Sequence, residues 1–167
     1  TAGVSTADVV LLSSQTASSS STISFTSGID STYGEYIFKF YNIHPSADAS
    51  EFQFQVNASD GSGYNETITS TVFRAYHNED DSATSLSYSA SSDQAQGTSY
   101  QTLMLDLDND ADSAGAGELH LFNPSSTTYV KHFYAETQYS YDASLTYNNF
   151  VAGYINTTTA IDDVQFK

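Results

Sequence analysis

YIFKFYNI, residues 36–43, alternates between two faces: Tyr36, Phe38 and Phe40 fall on one side of an extended chain, Ile37, Lys39 and Tyr41 on the other. A period of two marks a half-buried strand, because successive side chains of an extended backbone point to opposite sides. The same period runs through TISFT (22–26) and EFQFQV (51–56). Working outward, ITSTVFRAY (68–76), TSLSYSA (84–90), QTLMLDL (101–107), ELHLF (118–122), TYVKHFYAE (128–136), FVAGYI (150–155) and IDDVQF (161–166) are further strand candidates. VVLLS (9–13) reads as a first strand, followed by a serine-rich turn. No window repeats apolar residues at i, i+3 and i+4 over a dozen positions, so almost no helix is expected.

Between these segments lie SGIDSTYG, NASDGSGYNE, HNEDDS, NDADSAGAG and NPSSTT, each a turn by its Gly, Asp, Asn and Ser content. About ten short strands at regular spacing predict an all-β protein, an antiparallel β-sandwich, with the jelly roll the commonest solution at this size. The 167 residues show no internal repeat and fit one domain, 1–167. That length buries roughly two-thirds of the unfolded surface without staples. None are available, since the chain has no cysteine. The chain begins at Thr1 and stops after IDDVQFK with no turn, so further sequence is expected at both ends, in particular beyond Lys167.

Twenty acids face four bases, for a net charge of −16. The bases, Lys39, Arg74, Lys131 and Lys167, are scattered, which argues against nucleic acid as a partner because phosphate binding needs clustered cations. No apolar run approaches the roughly 20 residues that span a bilayer, so no membrane role is expected. Edge strands are usually guarded by Lys, Pro or bulges, yet only three Lys and two Pro are present, which points toward edges covered by acids or by neighbouring subunits.

DLDNDADSAGAGE, residues 106–118, sets Asp106, Asp108, Asp110 and Asp112 at alternate positions. A calcium loop of the EF-hand kind wants acids at positions 1, 3 and 5, Gly at 6 and a bidentate Glu at 12, between helices. Position 6 is Ala111, position 12 is Gly117, and the flanks TLML and LHLF are strands. A solvated acidic hairpin loop accounts for the pattern, with the four aspartates as calcium candidates. The histidines, His44, His77, His120 and His132, show no short ligand spacing, although His120 and His132 could meet across a sheet. No Gly-x-Ser-x-Gly elbow occurs, and carboxylates such as Glu51, Glu66, Glu118 and Glu136 could be paired only by the fold. No catalytic residue and no cofactor are expected. The sequons at Asn57, Asn65 and Asn156 carry no assigned role in a chain this rich in Asn, Ser and Thr.

The chain holds 13 Tyr and 10 Phe, concentrated in YAETQYSYDASLTYNNF as Tyr134, Tyr139, Tyr141, Tyr147 and Phe150. Sugar platforms lean on tryptophan, which is absent here, so a protein interface is the preferred reading of this cluster.

The segments LLSSQTASSSSTISFTSGIDSTY (11–33), FYNIHPSAD (40–48), FQFQVN (52–57), GYNETITSTVFRAYHNED (63–80), DQAQGTSYQ (93–101), LFNPSSTTYVKHF (121–133) and FVAGYINTTTAIDDVQFK (150–167), taken in order, cover most of the chain. Together they resemble virion structural proteins of marine tailed bacteriophages. The resemblance implies a non-enzymatic part of the particle, with no catalytic or metal motif to transfer and, in chains of this kind, another short strand after QFK. Within the particle, the leading expectation is a capsid decoration or cement protein on the virion exterior, made in the host bacterial cytoplasm. Such a protein would bind the outer face of the major capsid protein as a homo-oligomer, a trimer being favoured. The alternative is a tail-fibre, tail-spike or head-fibre module that contacts host surface glycans through the 134–150 region.

Overall fold

The computed structural model describes residues 9–141 and 144–167. Eleven strands form in chain order: β1 (Ile23–Phe25), β2 (Glu35–Ile43), β3 (Ser50–Ala58), β4 (Ile68–Asn78), β5 (Thr84–Tyr88), β6 (Ala95–Gly97), β7 (Gln101–Leu107), β8 (Gly115–Phe122), β9 (Lys131–Tyr141), β10 (Leu145–Ile155) and β11 (Ile161–Phe166). No helix occurs among the described residues. A four-stranded sheet runs β1-β11-β3-β7, and a larger one runs β2-β8-β9-β10-β4-β5, with β6 also on β4. Every pairing is antiparallel. The architecture is the expected antiparallel β-sandwich. Its four and seven strands exceed the eight of a jelly roll.

Alternation explains why these residues form these sheets. Along β9, residues Lys131, Phe133, Ala135, Thr137 and Tyr139 are buried while His132, Tyr134, Glu136 and Gln138 are exposed. The inward set of both sheets makes one core, in which Phe166 touches Phe25, Phe52 and Phe54 of its own sheet and Phe38 and Phe40 of the larger one. Five ring contacts at one position make β11 the seam between the layers.

Ten predicted strands form, with shifted bounds. β10 starts five residues before FVAGYI, so that β9 and β10 pair from Tyr141↔Leu145 to Lys131↔Ile155. Two expectations are corrected. VVLLS is no strand: Val9, Val10, Leu11 and Leu12 are all exposed and no strand lies beside them. β6 forms where no strand was predicted, held by Ile68↔Gly97 and Thr69↔Ala95. Its AQG sequence has no apolar period, so burial could not announce it.

Candidate functional site

The two outer faces of the sandwich differ in chemistry. On the smaller sheet, the outward row of β3 is Glu51, Gln53, the fully buried Gln55 and Asn57, and that of β11 includes Asp163 and Gln165. Side-chain amides there bond to backbone carbonyls and hydroxyls. Gln55 Nε2 donates to the carbonyls of Glu66 and Ser99 at 2.9 and 3.1 Å, and Gln165 Nε2 to Ser24 Oγ at 2.8 Å. Burial, followed by its neighbour Asp162, pushes the Asp163 carboxyl above its usual range.

The larger sheet turns aromatic rings outward. Strand register sets Phe150 of β10 opposite Phe73 of β4, and the rings stack at 4.8 Å with planes 11° apart. Tyr88 of β5 extends this row beside Phe73. In the next rows Tyr134 of β9 lies opposite His120 of β8, stacked at 4.3 Å, and Phe122 approaches Tyr134 at 5.8 Å. His132 and Tyr154 follow, edge to face at 6.2 Å. Phe73, Tyr88 and Tyr134 are each about half exposed. These cross-strand ring pairs lie outside the closed core.

Charge is organised around one histidine. His120 is held between Glu35, 2.6 Å from Nδ1, and Glu118, 3.0 Å from Nε2. Burial disfavours its imidazolium, but the hydrogen bonds to the two carboxylates outweigh this and raise its pKa above the usual histidine value. The bonds from His120 and then Lys39, which lies 3.2 Å away, hold Glu118 below the usual carboxylate range. Beside this cluster, a shallow groove of about 380 Å³ has Ala116 and Gly117 in its lining, with the nearly free Tyr41 ring, Glu136, Gln138 and Asn148 around them. Its glycine is required: a Cβ on Gly117 would stand 2.4 Å from the Glu136 carbonyl oxygen.

The predicted interface cluster divides. Tyr134 and Phe150 join the outer face, whereas Tyr139 and Tyr147 are buried in the core and Tyr141 packs against it. Alternation separates them, since Tyr134 and Tyr139 differ by an odd number of positions on one strand. Five rings close in sequence therefore fall on two sides of the sheet. Residues that the cluster missed, Tyr41, Phe73, Phe122 and Tyr154, lie outward on four strands. The available signal was an apolar residue at the second parity, such as Phe73 directly after Val72.

The aspartate loop closes on itself. Asp108 is buried and accepts bonds from Ser113 Oγ at 3.0 Å and from the Asp110 amide at 3.1 Å, while Asp110 and Asp112 are exposed and Asp106 is half-buried at φ 55°. Among the described residues no group of three or more His, Asp or Glu is arranged to hold a metal ion. His120 and His132 fall on different rows, and His44 meets the Ser113 carbonyl at 2.8 Å. The fold does set Glu118 opposite Glu136. Bonds from His120 and Lys39 lower the pKa of Glu118, and Glu136 accepts from Asn148 Nδ2 at 3.2 Å. Lys131 is buried on the inner side, its ammonium donating to the Thr157 carbonyl at 3.1 Å; desolvation lowers its pKa, with Glu66 opposing.

Comparison of this chain with protein-family models, with curated proteins and with solved structures finds no match.

Proposed function

We propose that the chain is a non-enzymatic structural protein of a bacteriophage particle, a decoration protein that docks on the outer face of the major capsid protein through the outer face of its larger sheet. One observation carries this reading: Phe73, Tyr88, Phe122, Tyr134, Phe150 and Tyr154 share that face, while the opposite outer face is amide and carboxylate. Aromatic rings at the centre of an interface contribute most of its energy, since each buries a large rigid surface at small entropic cost. The sequence resemblance to phage virion proteins supplies the partner. The polar face and the charge of −16 would then look outward and keep particles apart. Repetition over a lattice turns modest affinity at each site into large total stabilisation of the shell.

Co-sedimentation of the purified chain with capsids that lack it tests the reading. Saturation at a copy number matching the capsid lattice supports it, and loss of that binding in a Phe73→Ala, Tyr134→Ala variant assigns the face. No binding to capsids sinks it.

The groove over Ala116 and Gly117 favours a second reading, a tail-fibre or head-fibre module that contacts host glycans. An exposed ring beside amides and carboxylates offers a pyranose both a stacking surface and hydrogen bonds, with Tyr41, Gln138, Asn148 and Glu136 in those roles. Glycan binding by the isolated chain that Tyr41→Ala abolishes would select this reading over capsid docking.

A further inference from the structure

Val9, Val10, Leu11 and Leu12 are 75%, 54%, 82% and 49% exposed, so both sides of this apolar run face water. Among the described residues, no backbone–backbone hydrogen bond ties residues 9–22 to the sandwich, and Gln15 reaches it through its side chain, with Nε2 donating to the Ser24 carbonyl at 2.6 Å. β-branched and leucine side chains in extended chain have strand character that nothing in one copy uses.

Among the described residues, the larger sheet ends at β2, which has β8 on one side and no strand on the other. This edge is nine residues long and free of proline, and its single lysine is paired with Glu118. A bulge between Phe40 and Ile43, with Asn42 at φ 52°, interrupts its pairing with β8 near one end, and Glu35 to Phe40 keep regular register; an edge of that length can pair with another chain. The other edges suit that less: β1 has three residues, β5 five, and β7 already has its Leu103 carbonyl and Leu105 amide bonded to side chains of the larger sheet. β2 also displays Ile37 and Tyr41 at 38% and 74% exposure.

We propose that residues 9–13 add as a strand to the β2 edge of a second copy of this chain, each copy donating its arm to a neighbour. Phe25 of β1 touches Phe38 of β2 at 5.4 Å, so the arm leaves from the side of the sandwich where that edge is open. Residues 14–22 span about 30 Å when extended, enough to reach either copy, yet in one copy the arm stands off its own edge. The added strand would set one pair of its side chains, Val9 and Leu11 or Val10 and Leu12, beside Ile37 and Tyr41 on the outer face. The other pair would continue the inward row of Phe38 and Phe40. No charged residue lies between Val9 and Thr22, so the repulsion between two chains of −16 is not concentrated at this seam. The inference goes beyond capsid docking and stands whatever the particle partner is. Reciprocal exchange gives a dimer, and exchange around a ring gives a trimer.

Light scattering after size exclusion tests it on the full chain, on a variant lacking residues 1–13 and on Leu11→Asp. A dimer or trimer for the full chain, with single copies of unchanged far-UV circular dichroism for both variants, is the expected result. An Ile37→Lys change in the full chain should weaken self-association by about tenfold or more through a charge on the accepting edge. A full chain that runs as one copy overturns the proposal. So does an oligomer that survives removal of the arm.

Discussion

The amide nitrogen of Leu105 donates to the hydroxyl oxygen of Tyr139 at 3.1 Å, across the gap between the two sheets. β7 is the edge of the smaller sheet, and side chains of the larger sheet stand in for a missing neighbour: Thr137 Oγ1 and Asn149 Nδ2 both donate to the Leu103 carbonyl, at 2.7 and 3.1 Å. Burial pushes the Tyr139 phenol up to about 12, so it stays protonated over the whole working range. Tyr139→Phe keeps the ring and orphans the Leu105 donor. Urea unfolding is expected to show a loss of about 1–3 kcal/mol, and an unchanged midpoint would refute the role given to the hydroxyl.

Gly153 faces the interior between β9 and β4, where a Cβ would stand 2.3 Å from the Thr69 carbonyl oxygen and 2.9 Å from Ser70 Cα. Both obstacles are backbone. Gly153→Ala should therefore cost about 1–3 kcal/mol, or prevent folding, as judged by thermal melting.

The His120 clamp gives stability a pH optimum. Its raised pKa means that the protonated clamp contributes fully below the ordinary histidine value and fades as pH climbs through the raised value. Glu118, with a lowered pKa, contributes above the ordinary carboxylate value and fades as pH falls through the lowered one. The two windows overlap in mildly acid solution. Melting temperature should be higher near pH 5.5 than near pH 8.5, and His120→Gln should flatten that difference. A slope that survives the substitution would place its origin elsewhere.

If the exposed aromatic face of the larger sheet docks on capsids as proposed, its rings should contribute to binding rather than to folding. Phe73→Ala combined with Tyr134→Ala is expected to reduce bound copies on capsids severalfold or more while changing the free energy of unfolding by less than about 1 kcal/mol. Matched binding curves and melts separate the two. Loss of stability with unchanged binding would reverse the assignment.

Calcium makes a clean control for the aspartate loop. Asp108 uses its oxygens on Ser113 and Asp110, so calcium or a chelator should leave the melting temperature where it is. Asp108→Ala should lower stability by about 1–3 kcal/mol in either buffer. A stabilising shift with calcium would restore the metal reading.

Much of the sandwich was legible in the sequence because burial on one side of a strand writes itself as a period of two. Phe52, Phe54 and Val56 announced β3 in this way, and Ile161, Val164 and Phe166 announced β11 despite the register shift between Ile161 and Asp163. Partnering is the part that composition does not encode. VVLLS has the residues of a strand and no neighbour, while AQG has neither period nor bulk and finds one on β4. The aromatic outer face was half legible for a related reason. Tyr134 and Phe150 were singled out by crowding in sequence, but their neighbours Phe73 and Phe122 come from strands that meet only after the chain has crossed the sheet several times.

Because β4, β8, β9 and β10 carry the core at one parity and the aromatic face at the other, a change at Phe73, Phe122, Tyr134 or Phe150 leaves Val72, Leu121, Ala135 and Val151 untouched. Core packing and the outward aromatic face thus occupy separate positions of the same strands. Substitution at the outward positions of these four neighbouring strands, the His120–Glu118 clamp excepted, leaves the inward packing in place. Related chains should accordingly diverge fastest at the outward parity of these strands and keep the inward one, a pattern that an alignment of homologues would reveal as a two-residue beat in substitution rate.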